Sequence, residues 1–321
     1  MEYRHSRKVD EGVYETHGLI NGIVLRMHND PSKEIQGALR AQRDWSKYVQ
    51  PLKTYHGSLG DPYSFIRTTV PECLPERLEI LAYANEFAFL YDDNMENLDL
   101  KSRPDESAKF LEPFSQGVLN QRIDLHSRPE KRLQAQILSE MMAIDSTRAV
   151  TAMKAWGEFV LSAAESRAPF KSMEEYVPAR IIDAGELIWF GFLTFGMALT
   201  IPDEELDLCA QLAKPGYAAL GLTNDLYSWE KERVEAEQAG QDYVFNAIWV
   251  IMKERTVSEE EAKAICREEI KKYITQYCRT VEEIRVDTSL SKDLRTYLEA
   301  IVLSYAGNLV WSIYCPRYKE F

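Results

Sequence analysis

Leu78-Glu79-Ile80-Leu81-Ala82-Tyr83-Ala84-Asn85-Glu86-Phe87-Ala88-Phe89-Leu90-Tyr91-Asp92-Asp93-Asn94-Met95-Glu96 is an apolar helical pattern that runs straight into a cluster of acids. Asp92 and Glu96 are four apart, so on a helix both carboxylates leave one face, one turn from each other. Back along that face stand Phe89 and Ala88, then Asn85, then Leu81. The stripe is greasy at its start and acidic at its end. Sinking it into a core would bury carboxylates at a prohibitive cost unless cations met them there. Hard oxygen ligands point to Mg²⁺. A calcium loop of the EF-hand type is excluded, because its sixth position, counted from Asp92, is Asn97 where the sharp turn wants Gly. An acidic helix end alone is usually just solvated, so a partner stretch has to decide.

That partner is Leu222-Thr223-Asn224-Asp225-Leu226-Tyr227-Ser228-Trp229-Glu230-Lys231-Glu232. Asn224, Ser228 and Glu232 recur every four residues, which stacks an amide oxygen, a hydroxyl and a carboxylate on one helix face. Asn and Ser are mediocre helix-interior residues, so this spacing asks for a reason. The run Tyr217-Ala218-Ala219-Leu220-Gly221 precedes them, again apolar leading into polar. Both helices pass from a greasy floor to an oxygen-rich rim, with the negative ends of their dipoles toward the rim.

In these residues the chain resembles the class I terpene synthases, and within them the cyclase part of fungal chimeric terpene synthases of the fusicoccadiene synthase type. Asp92-Asp93-Asn94-Met95-Glu96 is similar to the family's aspartate-rich motif, with Glu in the last place where Asp is commoner. Asn224 to Glu232 matches its second metal motif, including the basic Lys231 before the final Glu. Arg180, with Tyr176 four before it and Gly185 five after, stands where the family keeps a diphosphate-sensing arginine. Asp183 falls at the place of the acidic linker, followed by Ala184 where the family has Gly. Arg317-Tyr318, preceded by Asn308 and Trp311, resembles the closing pair of the microbial branch. The resemblance implies metal ligation by Asp92, Asp93, Glu96, Asn224, Ser228 and Glu232. It also implies that Arg180, Asp183, Lys231, Arg317 and Tyr318 serve the diphosphate.

The rest of the chain bounds the possibilities. Its 321 residues can bury a large core, and no linker or repeat divides them, so residues 1–321 read as one domain. A net charge of −13 argues against nucleic-acid and anionic-membrane partners. Five cysteines without CxxC spacing suit buried thiols in a reducing compartment, hence the cytoplasm. The five histidines form no HExxH, so zinc is not expected. No secretory signal is expected from the polar first residues. Leu187 to Ile201 is shorter than the roughly 20 residues that span a bilayer and reads as a buried helix.

No segment alternates at period 2 for long enough to make a strand, so the fold class is all-α, ten or more helices around a central cavity. Residues 1–30 read as an irregular wrap. Helices are expected over 32–48, near Phe65 to Thr69, from Pro75 to Glu96, over 129–166 with a break at Asp145-Ser146, and from Ser291 to Ile313. The last carries Trp311. The second metal helix is expected to start at Pro215, and Ser172/Glu175 and Ser258/Glu261 read as capping boxes. Residues 97–106 read as a mobile surface connection. Ile137, Met141, Met153, Trp156 and Val160 are expected on the inner side of the long helical stretch.

The implied chemistry is loss of diphosphate from an allylic isoprenoid, leaving a carbocation in a dry pocket. Three Mg²⁺, Asp92, Glu96, Glu232 and a diphosphate ester sum to a roughly neutral cluster. Phe65, Phe89, Trp189, Phe192 and Trp311 are the candidate pocket aromatics, whose faces stabilise positive charge. The resemblance points to C20 or C25 substrates, geranylgeranyl diphosphate first and geranylfarnesyl diphosphate next, and to a lyase yielding a diterpene or sesterterpene. Gly191, Gly196 and Ala198 would either leave room for a long tail or serve close helix packing. Two other readings are a trans-prenyl diphosphate elongase, which would need a second aspartate-rich motif, and a non-catalytic acidic helical interaction protein. Fungal relatives often carry a prenyltransferase domain after the cyclase, so the chain reads as a single-domain or an excised cyclase.

Overall fold

The computed structural model describes residues 1–96, 129–165 and 169–319. The helices are α1 (Pro31–Tyr48), α2 (Phe65–Thr69), α3 (Leu78–Glu96), α4 (Pro129–Ile144), α5 (Ser146–Glu165), α6 (Met173–Asp183), α7 (Glu186–Gly196), α8 (Leu206–Gln238), α9 (Ala247–Arg255), α10 (Glu259–Arg285) and α11 (Lys292–Tyr314). The all-α expectation holds, and one contiguous apolar core runs through most of these helices. Ile137, Met141, Met153 and Trp156 are buried in it. The Val160 side chain and residues 97–106 lie outside the described residues.

Local chemistry accounts for most of the boundaries. Asp30 caps α1 by accepting from the Ser32 and Lys33 amides, with Pro31 in the first turn. Ser291 caps α11, and Ser258 with Glu261 forms a complete capping box on α10. The Ser172/Glu175 pair is half a box: Ser172 accepts from the Glu175 amide, but the Glu175 carboxylate takes the amide of Lys171 instead.

Three helix boundaries and one short strand pair differ from expectation. The helix expected from Pro75 begins at Leu78, because Leu74 to Arg77 forms a turn whose Leu74 amide is tied to the Gly196 carbonyl at 2.8 Å. The helix expected from Pro215 begins at Leu206 and runs through the proline. Beside it, a Cβ on Gly216 would meet Tyr277 and Ile301 at 2.8 Å, so close packing on α10 and α11 holds the helix across the missing amide donor. The buried helix expected to reach Ile201 ends at Gly196. There Ala198 turns left-handed, and the Leu199 and Ala198 amides bond back to the Thr194 and Phe195 carbonyls, which is a Schellman stop. Residues 1–30 do wrap the body, but they include an unexpected antiparallel pair, β1 (Ser6–Lys8) with β2 (Arg26–His28), Ser6 opposite His28. Three-residue strands are too short to show alternation.

Gly191 and Gly196 serve helix packing. A Cβ on Gly191 would sit 2.9 Å from Ala152 Cα of α5, and one on Gly196 would sit 3.0 Å from Leu81 of α3. Among the described residues no helix is long and apolar enough to cross a membrane.

Candidate active site

The C-terminal halves of α3 and α8 line a cavity of about 470 Å³. Asp92 reaches this cavity from α3, and Asn224, Ser228, Lys231 and Glu232 reach it from α8. The two oxygen-rich faces therefore line one cavity. Ser228 Oγ is buried; it lies near enough to ease ionisation of Glu232 but makes no well-formed hydrogen bond. An orphaned buried hydroxyl between an amide oxygen and a carboxylate fits a hard-cation ligand. Among the described residues no cluster of three or more His, Cys, Asp or Glu side chains forms a metal site. The Glu96 side chain lies outside the described residues.

Asp93 behaves differently from its neighbour. One position along a helix turns a side chain by about 100°, and Asp93 accepts both arms of the Arg317 guanidinium, at 2.8 and 2.5 Å. Lys231 Nζ approaches the same carboxylate at 3.8 Å and Glu235 at 3.2 Å. Burial works against the Arg317 charge, but Asp93 outweighs it and holds the guanidinium protonated. Tyr318, next in the chain, accepts from Asn224 Nδ2 at 2.6 Å.

Arg180 is held through all three of its nitrogens, with two of its five N–H donors left over. Its Nε donates to Asp225 at 2.7 Å, one arm to Asp183 at 2.7 Å and the other to the Asn224 amide oxygen at 2.6 Å. Three acceptors in a planar spread suit an arginine and not a lysine. Gly185, left-handed at φ 85°, breaks α6 from α7 and puts Ala184 and Gly185 on the cavity wall beside Asp183.

Below the polar rim the walls are aromatic. Phe65, Phe89, Trp189, Phe192 and Trp311 all line the cavity. Phe65 is the hub, edge-on to Trp311 at 4.7 Å, Phe89 at 5.5 Å and Trp189 at 5.6 Å. The two indole N–H groups are used up outside: Trp189 donates to Ser304 Oγ at 3.0 Å and Trp311 to the Ser58 carbonyl at 2.9 Å. Asn85, two turns below Asp92, is a buried polar group in the wall whose amide nitrogen has no partner.

Sequence reasoning missed two residues of the site. Asp225, inside the second motif, is fully buried, where it also accepts from Tyr176 Oη at 2.6 Å and from the Ala247 amide at 3.0 Å. Burial raises its pKa, against the pull of Arg180. Asn246 caps α9 and donates from one amide nitrogen to Glu232 and to the Asp225 carbonyl, both at 2.9 Å. Burial, then the nearby Asp225 charge, lifts Glu232 to about 7, while Arg180 and Asn246 pull it down. An Asn before an apolar run is a legible cap signal. Its reach to Glu232 is not legible.

Residues 84–276 match the model of terpene synthase family 2, C-terminal metal binding. A bifunctional type I diterpene synthase of Aspergillus flavipes is 46% identical, aligned with 100% of this chain and 42% of its own length. A bifunctional sesterterpene synthase of Aspergillus aculeatus is 41% identical over 99% of this chain and 45% of its own. The chain thus spans less than half the length of these curated relatives. Aristolochene synthase from Penicillium roqueforti superposes with a TM-score of 0.68 at 18% identity, covering 88% of this chain and 96% of that one, which shows a shared fold.

Proposed function

The chain belongs to terpene synthase family 2, and from that premise we propose that it is a Mg²⁺-dependent class I terpene cyclase acting on a long-chain allylic isoprenoid diphosphate. Geranylgeranyl diphosphate is the first choice and the C25 homologue the next. The carrying observation is that Asp92 on α3 and the Asn224, Ser228 and Glu232 face of α8 line one and the same aromatic-walled cavity. A cavity of about 470 Å³ is in the size class of sites that enclose an organic ligand, roughly 300–1,000 Å³.

In this reading Asp92, Glu96, Asn224, Ser228 and Glu232 would hold the metal, expected as three ions, while Asp93 holds Arg317. Bound Mg²⁺ supplies Lewis-acid charge that weakens the ester bond. The chain's own residues do the rest. Arg180, Lys231, Arg317 and the Tyr318 hydroxyl offer donors to the departing diphosphate, which leaves with the C–O electron pair. Asp183 holds one arm of Arg180 in place. The allylic cation remains among Phe65, Phe89, Trp189, Phe192 and Trp311, each ring face stabilising it by about 0.5–2 kcal/mol. Both indole donors are already bonded, to Ser304 and to the Ser58 carbonyl, so neither offers a positive N–H to the cation. The reading takes residues 1–321 as one cyclase unit, in a longer protein joined to a prenyltransferase that supplies its substrate. A cytoplasmic location suits its five free thiols.

The test is incubation of the purified chain and Mg²⁺ with C15, C20, C25 and C30 all-trans diphosphates, products being identified by mass spectrometry. The expected outcome is a cyclic hydrocarbon from the C20 chain, with C25 next. Asp92→Ala and Asn224→Ala should each abolish it with the helical circular dichroism intact. Conversion of the C15 substrate alone, or longer linear diphosphates on adding isopentenyl diphosphate, would overturn the reading.

A further inference from the structure

Glu86 is a completely buried carboxylate that plays no part in the chemistry above. A buried carboxylate is costly unless its oxygens are well served, and here both are. Gln42 donates to Oε1 at 2.6 Å, and Ser58 donates to Oε2 from its amide at 2.9 Å and also from its hydroxyl. The Ser58 carbonyl in turn accepts from the Trp311 indole at 2.9 Å and from the Phe65 amide at 3.0 Å. Glu86 therefore holds one residue, and that residue holds the Trp311 ring of α11 by its indole N–H and the backbone that carries Phe65 at the start of α2.

The placement on α3 makes this more than loop anchoring. Glu86, Phe89 and Asp93 follow at intervals of three and four and form one stripe. Glu86 fixes Ser58, Phe89 packs on Phe65 and Trp311 at 5.5 and 5.8 Å, and Asp93 grips Arg317. Asn85 and Asp92, one residue back, line the cavity itself. One helix thus presents the metal face on one side and a clamp on the other.

We infer that Glu86 is a positioning residue that decides product choice: through Ser58 it sets the ring planes of Trp311 and Phe65 against the migrating cation. The inference rests on the cyclase reading above. Attraction of a cation to a ring comes from the π face, whereas the ring edge is positive. A tilted ring changes the balance between competing cyclisation, shift and deprotonation steps. Leaving-group departure is governed at the rim, by groups to which Glu86 makes no hydrogen bond; of these, Arg317 feels its charge through space.

The experiment compares Glu86→Leu, Glu86→Gln and Ser58→Ala, reading diphosphate release, product ratios and hydrogen exchange at the Phe65 amide. In Glu86→Leu, release should stay within about threefold of wild type while the ratio of major to minor hydrocarbons shifts by about 2- to 30-fold, the span of one cation–π contact. Exchange at Phe65 should quicken. Glu86→Gln should restore both, because its carbonyl can take both Ser58 donors and its NH₂ can meet a turned-over Gln42. Ser58→Ala, which loses only the hydroxyl, should shift the ratio in the same direction by less. Wild-type ratios in a folded, active Glu86→Leu, or an equal shift in Glu86→Gln, overturn the inference. If Glu86→Leu does not fold, wild-type ratios in Ser58→Ala overturn it. Absence of diphosphate release from the unaltered chain would instead sink the cyclase reading.

Discussion

Replacing Asn246 by Ala should raise the Mg²⁺ requirement, and should do so in a pH-dependent way. Its amide nitrogen donates to Glu232 at 2.9 Å, and Glu232 already sits at about 7 because burial disfavours its charge. A hydrogen bond to a charged group contributes about 1.5–3 kcal/mol, so losing it raises Glu232 by about one unit or more. At pH 7.5 a one-unit rise cuts the ionised fraction from roughly three quarters to roughly one quarter. Only the carboxylate is a good metal ligand, so apparent affinity falls about threefold from protonation. Lost orientation adds to this, since partners of metal ligands are worth about 10- to 100-fold at most. The assay is initial diphosphate release against Mg²⁺ concentration at pH 7.5 and 9. The deficit should shrink by about threefold at pH 9, where Glu232 ionises in both proteins. Asn246→Ala also removes the cap of α9, at about 1 kcal/mol. Asn246→Ser keeps a capping oxygen but lacks the amide donor, so it should keep stability and show the same metal defect. An unchanged Mg²⁺ requirement at pH 7.5 in both variants would refute the coupling, and an equal deficit at both pH values would refute its protonation part.

Other outcomes follow from the same geometry. Arg180→Lys and Arg317→Lys keep charge but lose the planar spread on Asp225, Asp183 and Asn224, or on Asp93. Each should weaken binding of inorganic diphosphate with Mg²⁺ by about tenfold in calorimetry, and unchanged affinity in the Lys and the Ala forms would remove both from the site. Glu34 is fully buried, and burial raises it from 4.5 to about 8 although the Arg67 amide donates to it at 3.0 Å. The folded chain keeps this proton while the unfolded chain releases it, so stability is lost as pH rises from about 4.5 to 8, by roughly 5 kcal/mol at most. Glu34→Gln should therefore gain about 1–3 kcal/mol over wild type in denaturant melts at pH 8 and nothing near pH 4.5. An equal difference at both pH values would contradict the sign.

Fold class and donor faces were legible because both are local. Spacings of three and four residues put Asn224, Ser228 and Glu232 on one face whatever surrounds them, and Ser291 caps a helix within its own first turn. The apolar floors of α3 and α8 and the aromatic positions of α2, α7 and α11 were readable for the same reason. Everything that depends on chain segments meeting from far apart was settled only in three dimensions. Asp93 looks like Asp92 in sequence, yet it turns to Arg317, 224 positions on. The serine that anchors Trp311 lies 253 positions away, and Asn246 reaches Glu232 only because α9 folds back on α8. Helix α8 runs through Pro215 because α10 and α11 pack on Gly216, and Gly191 and Gly196 answer to neighbouring helices and not to a substrate. Local periodicity determines which way a side chain leaves its own helix; what it meets there depends on how distant segments pack, which spacing along one helix does not encode.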